Sequence, residues 1–152
     1  MTADPLGLPP MLSRCLAIAL IFLATAVPPL PVTAQDAGYP ATALLSTGRT
    51  IVGETLRYPD TGPAHVTASI VVLAPGAKTI MHRHGVPLFA YILEGELTVD
   101  YGAHGVRVYR TGQAFMEAME VEHFGINHGT QLVRILAVYM GAKGAEDVIP
   151  AN

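Results

Sequence analysis

Short stretches rich in Val, Ile, Thr and aromatic residues alternate with glycine and proline along this chain, which holds 15 Gly and 12 Pro in 152 residues. Beyond the apolar N-terminal run, no stretch sustains a 3.6-residue period, so helices are not expected. β-branched and aromatic residues favour a pleated, half-buried surface, and turn residues bound each run. The pattern predicts strands over 50–58, 65–74, 79–84, 88–100 (broken near Gly95), 106–109, 114–117, 123–126 and 132–139. Short strands at regular spacing imply an all-β sandwich or barrel.

The N-terminus has a different character. Arg14 is followed by the uncharged apolar run 15–27, then by Pro28, Pro29 and Pro31, and then by Val32-Thr33-Ala34 before Gln35. A positive residue, an apolar run and a small-residue site in that order predict a signal peptide over 1–34. The apolar run falls short of the ~20 residues that a membrane span needs, so no stable anchoring is expected after cleavage; an uncleaved anchor is the alternative. A tether over 35–45, a folded domain over 46–140 and a surface tail over 141–152 complete the expected organisation, in a periplasmic or secreted protein.

Charge narrows the partners. The net charge is −3, and the few Lys and Arg are dispersed, which argues against a nucleic-acid surface. Cys15 is the sole cysteine and lies inside the signal segment, so the mature chain has no disulfide and no thiol ligand.

The chemistry-bearing residues are histidines. His82 and His84 stand two apart in a predicted strand. Residues i and i+2 of a strand point to one face, so the two imidazoles aim at one place. His123, in a later strand, offers a third. Three imidazoles form a common set for holding a transition metal. His65 is expected to be an ordinary strand residue, and His104 and His128 to face solvent. Arg83, between the two histidines, should point away from them.

The segment from Gly76 through His82 and His84 to Gly95 resembles the first sequence motif of the cupins, and Gly112, His123 and Asn127 resemble the second. The resemblance implies a single conical jelly-roll barrel with one divalent metal at its mouth, held by His82, His84 and His123. Asn127 is expected to be structural. Fe(II) is the favoured metal, with Zn, Mn, Ni or Cu as the others. The resemblance also implies a homodimer paired through strand edges.

Three positions depart from the family pattern. Where the first motif carries a glutamate ligand, this chain has Leu88; where the second carries Pro and Gly, it has Ala118 and Glu120. Three neutral imidazoles leave a divalent ion its full charge, which makes it a stronger Lewis acid with a free position. Thiol dioxygenases of the superfamily share that arrangement. Glu117 and Glu120 are the candidates to replace the missing carboxylate. Leu88, Phe89, Tyr91 and Met116 are expected to line an apolar pocket. Together these features favour a metal-dependent, dioxygenase-like enzyme acting on a small organic molecule. A binding module without turnover, and a metal-dependent isomerase or decarboxylase, are the alternatives. A degenerate, metal-free barrel is the bland counterpart.

Overall fold

The computed structural model describes residues 38–152. The expected signal segment lies outside the described residues, as does the start of the tether. Residues Thr42–Asn152 form one compact unit.

Nine strands follow one another: β1 (Ala64–Leu73), β2 (His82–Arg83), β3 (Leu88–Glu94), β4 (Glu96–Asp100), β5 (Val106–Arg110), β6 (Ala114–Met116), β7 (Phe124–Ile126), β8 (Val133–Ala142) and β9 (Ile149–Pro150). Among the described residues there is no α-helix, only a 3-10 turn at Gly102–His104. One sheet has the order β1-β8-β3-β6, a second β5-β4-β7, and a two-stranded ribbon pairs β2 with β9. All pairs are antiparallel, as in a jelly roll.

Alternation builds the interior. Along β3, Leu88, Ala90 and Ile92 are buried, and so are Leu97 and Val99 of β4. Ala90, Ile92, Leu97 and Val99 meet Leu73, Phe115, Val133 and Ile135 in one cluster, where the Tyr109 and Phe115 rings stack 3.6 Å apart. Gly95 turns the chain from β3 into β4 at φ +82°. A Cβ there would sit 2.5 Å from the Leu132 carbonyl oxygen, so only glycine fits the corner. Gly76 and Gly112 also hold positive φ, at 74° and 89°. Asn127 is buried and ties three segments together. Its Nδ2 donates to the carbonyls of Leu73 (3.0 Å) and Gln131 (2.7 Å), and its Oδ1 accepts from the Gly129 N–H.

One expectation is corrected. The segment 50–58 is not a strand. Thr50 and Glu54 bond each other through side chain and backbone, closing a turn whose Gly53 has φ +94°. That local alternative satisfies the backbone in place of a ladder. The tail 141–152 is largely exposed and is tied down at both ends. β8 runs on to Ala142, and Ile149 and Pro150 pair with Arg83 and His82.

Candidate metal centre

His82 and His123 exchange backbone hydrogen bonds across a strand pair, His82 N–H to His123 O at 3.0 Å and the reverse at 2.8 Å. His84 is fixed on the same side by its N–H donating to the Met119 carbonyl at 2.9 Å. The three rings gather with centroid separations of 4.9, 4.7 and 5.2 Å, and one nitrogen from each lies within 4.8 Å of the others. Arg83 points away and pairs with Glu120 at 3.2 Å.

The second ring nitrogen decides whether such a cluster suits a metal. Nδ1 of His82 lies 2.8 Å from the Ile80 carbonyl, Nδ1 of His84 2.9 Å from that of Asp147, and Nδ1 of His123 2.8 Å from that of Val121. A carbonyl only accepts, so each Nδ1 carries the proton and each Nε2 is left as a lone pair. This orientation by an outer carbonyl is the usual support for a metal-ligating histidine. Burial also lowers the pKa of all three, against the raising effect of those carbonyls; His84 falls to about 4. The neutral ligand form therefore prevails at neutral pH, and the residues present fit a divalent ion.

The cluster opens on a cavity of about 210 Å³ between the two larger sheets. Leu88, Ala90 and Phe115 wall one side, Leu97 and Val99 the other, and Tyr139 stands 5.7 Å from the His84 ring. Of the expected pocket residues, only Leu88 is there. Phe89 and Met116 line a separate groove on the outer face of the sheet, with Leu45, Leu56 and Val138. Tyr91 is not in the cavity wall. The reason is parity: Leu88 faces inward, so its neighbour Phe89 cannot, and register places Met116 opposite Phe89.

The two candidate carboxylates separate cleanly. Glu120 is exposed, and its side chain is engaged by Arg83, so it is not a ligand. Glu117 is buried in the cavity wall. Its Oε1 accepts from Tyr101 O–H at 2.5 Å and from the Ala118 N–H at 2.9 Å, and its Oε2 lies 3.8 Å from His123 Nε2. Burial pushes its pKa up to about 7, although the Tyr101 and Ala118 hydrogen bonds pull the other way. Tyr101 in turn meets Tyr109 O–H at 3.1 Å, and burial raises both phenols.

Sequence reasoning missed three contributors. Tyr101 carried no motif signal. Asp147 acts through its backbone, where residue identity leaves no trace. Glu54 holds the loop before His123 by accepting from the Met119 and Glu120 N–H groups at 2.8 and 2.9 Å. Burial alone would raise the Glu54 pKa, but these bonds and that from Thr50 bring it below its usual value.

An antiparallel jelly roll with three inward, Nδ1-anchored histidines from two strand modules defines a small barrel protein with a metal-type site. The Cupin_2 family model, a cupin domain, matches residues 69–139, and the chain belongs to the cupin superfamily. Among solved structures it is similar to the polyketide cyclase RemF from Streptomyces resistomycificus, at 19% identity and a TM-score of 0.50, over 66% of this chain and 69% of RemF. It is also similar to a cupin-superfamily sugar phosphate isomerase from Silicibacter pomeroyi, at 24% identity, a TM-score of 0.45, and 49% and 50% of the two chains. A third is the oxalate decarboxylase of Lactobacillus farciminis, at 21% identity and a TM-score of 0.47, over 56% of this chain and 26% of that one. The match thus spans half of the isomerase and about a quarter of the decarboxylase. No curated protein matches the sequence. At 19% identity the likeness to RemF speaks for the fold alone.

Proposed function

We propose that this protein is an exported mononuclear metal protein acting on a small, largely apolar organic molecule, with dioxygenase-like oxidation as its leading chemistry. The observation that carries this reading is the anchoring of His82, His84 and His123 by Nδ1 to three backbone carbonyls, which turns three Nε2 lone pairs into one apolar cavity. When bound, a divalent ion supplies Lewis acidity there and, for a redox-active metal such as the favoured Fe(II), a route to dioxygen chemistry. The chain supplies the rest. Leu88, Ala90 and Phe115 exclude water and select apolar substrate surface. The Tyr139 phenol, beside His84, offers a hydrogen bond that orients a substrate oxygen. The Glu117 carboxyl faces the cavity with Oε1 held by Tyr101 and the Ala118 N–H, which leaves Oε2 turned toward His123.

The second reading is a binding module that captures a metal or small ligand without turnover. The cavity, about 210 Å³ and below the ~300 Å³ at which pockets for drug-sized molecules begin, leaves little room beside an ion at the three histidines, which is compatible with capture of the ion itself. Elemental analysis of purified protein, followed by an oxygen-uptake screen of small phenols and carboxylic acids with the native metal, separates the two. Uptake with some substrate supports oxidation, stoichiometric metal without turnover supports the binding module, and absence of metal sinks the oxidation reading and the metal-capturing form of the second.

Export is supported by the order of residues 14–34. Intact-mass analysis should find a chain starting near Gln35, and a full-length membrane species would refute it. Homodimer formation is supported by β1, an edge strand whose Val66, Ile70 and Val72 are 60%, 46% and 54% exposed. Light scattering should give a dimer mass that Ile70→Lys reduces to that of a monomer. A monomeric parent would refute it.

A further inference from the structure

We propose that Glu117 is a fourth metal ligand, a carboxylate supplied one strand across from the position that Leu88 occupies. The inference rests on the metal reading above and adds a residue to it. The register carries it first. Phe89 pairs with Met116, and the Glu117 N–H donates to the Leu88 carbonyl at 2.9 Å, so Leu88 and Glu117 are direct cross-strand neighbours. Both line the cavity. Directly opposed residues on one face have Cβ atoms only about 5 Å apart. A carboxylate on either strand can therefore serve the same space, and this chain keeps it on the second.

The clamp on Glu117 carries it second. Tyr101 O–H and the Ala118 N–H both bind Oε1, which fixes one end of the carboxylate and leaves the other. Oε2 is 3.8 Å from His123 Nε2. With the His123 proton held on Nδ1 by the Val121 carbonyl, Nε2 has none to give. His123 Nε2 and Glu117 Oε2 thus face each other across a gap with no proton on the imidazole side, and a divalent cation placed there would take an electron pair from both. Oε2 stands just outside the group formed by the three histidine nitrogens, so ligation needs a small swing about the clamped Oε1.

The test is metal binding rather than turnover. Parent, E117Q, E117D, Y101F, H84A and the double variant L88E/E117Q are titrated with Co(II), following its visible absorption, and with Zn(II) in competition against a chelator. Folding is checked by circular dichroism. E117Q should bind at least about tenfold more weakly, with a changed Co(II) band, and Y101F should lose less than E117Q, near the lower end of the ~10–100-fold that outer-shell losses cost. L88E/E117Q should regain most of the loss, because the carboxylate returns on the neighbouring strand. If E117Q does not fold, E117D serves, and its shorter reach should also shift the band. Parent-like affinity and spectrum in E117Q or E117D overturn the inference, as does a loss in E117Q that L88E fails to restore. The two levels stay distinguishable. H84A losing metal while E117Q keeps it removes only this inference, whereas a parent that binds no metal removes the proposed function as well.

Discussion

Glu117 donates its backbone N–H to the Leu88 carbonyl at 2.9 Å, so the one fully buried acidic side chain among the described residues lies directly beside the leucine that stands where the cupin motif has its acid. Both side chains occupy the same wall of the cavity. What happens at one position therefore bears on the other.

Leu88→Glu alone should destabilise the metal-free protein. It would bury a second carboxyl next to Glu117, and like charges at close range cannot both ionise cheaply. Burial of an unpaired charge costs several kcal/mol, so a loss of about 3 kcal/mol at pH 8 is expected. Raised carboxyl pKa values make the folded state bind the extra proton, so the loss should shrink at pH 5. Denaturant titrations in EDTA at the two pH values measure it, and an equal loss at both would contradict it.

The C-terminal segment should matter to metal affinity. Asp147 supplies the carbonyl that fixes His84, and Ile149–Pro150 pair with Arg83 and His82. Truncation after Glu146 removes both supports while leaving every histidine in place. Metal affinity should fall by about 10–100-fold, as for other losses of an outer-shell partner. Competition with a chelator gives the number, and an unchanged affinity would mean that the segment is only a cover.

Stability in the metal-free state should depend on pH in two opposed ways. His84 has a folded-state pKa of about 4, below the ordinary 6.5, so the unfolded chain takes up the proton first. Its contribution, about 3 kcal/mol, is present above pH 6.5 and lost as pH falls toward 4. Glu117 is raised from 4.5 to about 7, so its contribution is present below pH 4.5 and lost as pH rises to 7. The two nearly cancel in the parent, while the lowered pKa values of His82 and His123 add to the acid loss. Glu117→Gln removes the opposing group, so its acid loss between pH 7 and 4.5 should be steeper than that of the parent. Parallel stability profiles for the two proteins would rule this out.

Gly95→Ala should cost about 2–4 kcal/mol. The residue holds φ +82°, and a Cβ would meet the Leu132 carbonyl oxygen at 2.5 Å and Val133 Cγ2 at 3.1 Å. The left-handed conformation alone disfavours a side chain by ~1–2 kcal/mol. A thermal melt within a degree or two of the parent would show that the β3–β4 corner can relax.

Much of the architecture was legible in the chain itself. Turn residues bounded the runs that became β1, β3, β4, β5 and β8, because strand punctuation is local chemistry. The strand expected over 50–58 failed for the same local reason, since Thr50 and Glu54 satisfy each other's backbone and side chain in a turn. The His82-Arg83-His84 spacing fixed two imidazoles on one side, and three of the motif glycines do occupy positive φ. Parity was also available in principle. Leu88 and Phe89 are adjacent in one strand and could never both face the cavity, yet the sequence does not say which face is inside.

The sequence by itself determined the strand alternation, the corner glycines and the shared face of His82 and His84, because each depends on residues close together or on a fixed two-residue period, while His123 entered through the motif resemblance and reaches His82 by backbone pairing across the fold. Tertiary structure alone decided the rest. Glu117 and Glu120 lie three residues apart in one chain segment. One is buried across from Leu88 on the face it shares with Phe115, and the other is exposed against Arg83, because only the packed sheets decide which face of the segment is inside. Tyr101, Glu54 and the Asp147 carbonyl reach the site from distant parts of the chain. Their roles come from which backbone donors and acceptors the folded sheets bring within hydrogen-bond distance, and no local pattern encodes that.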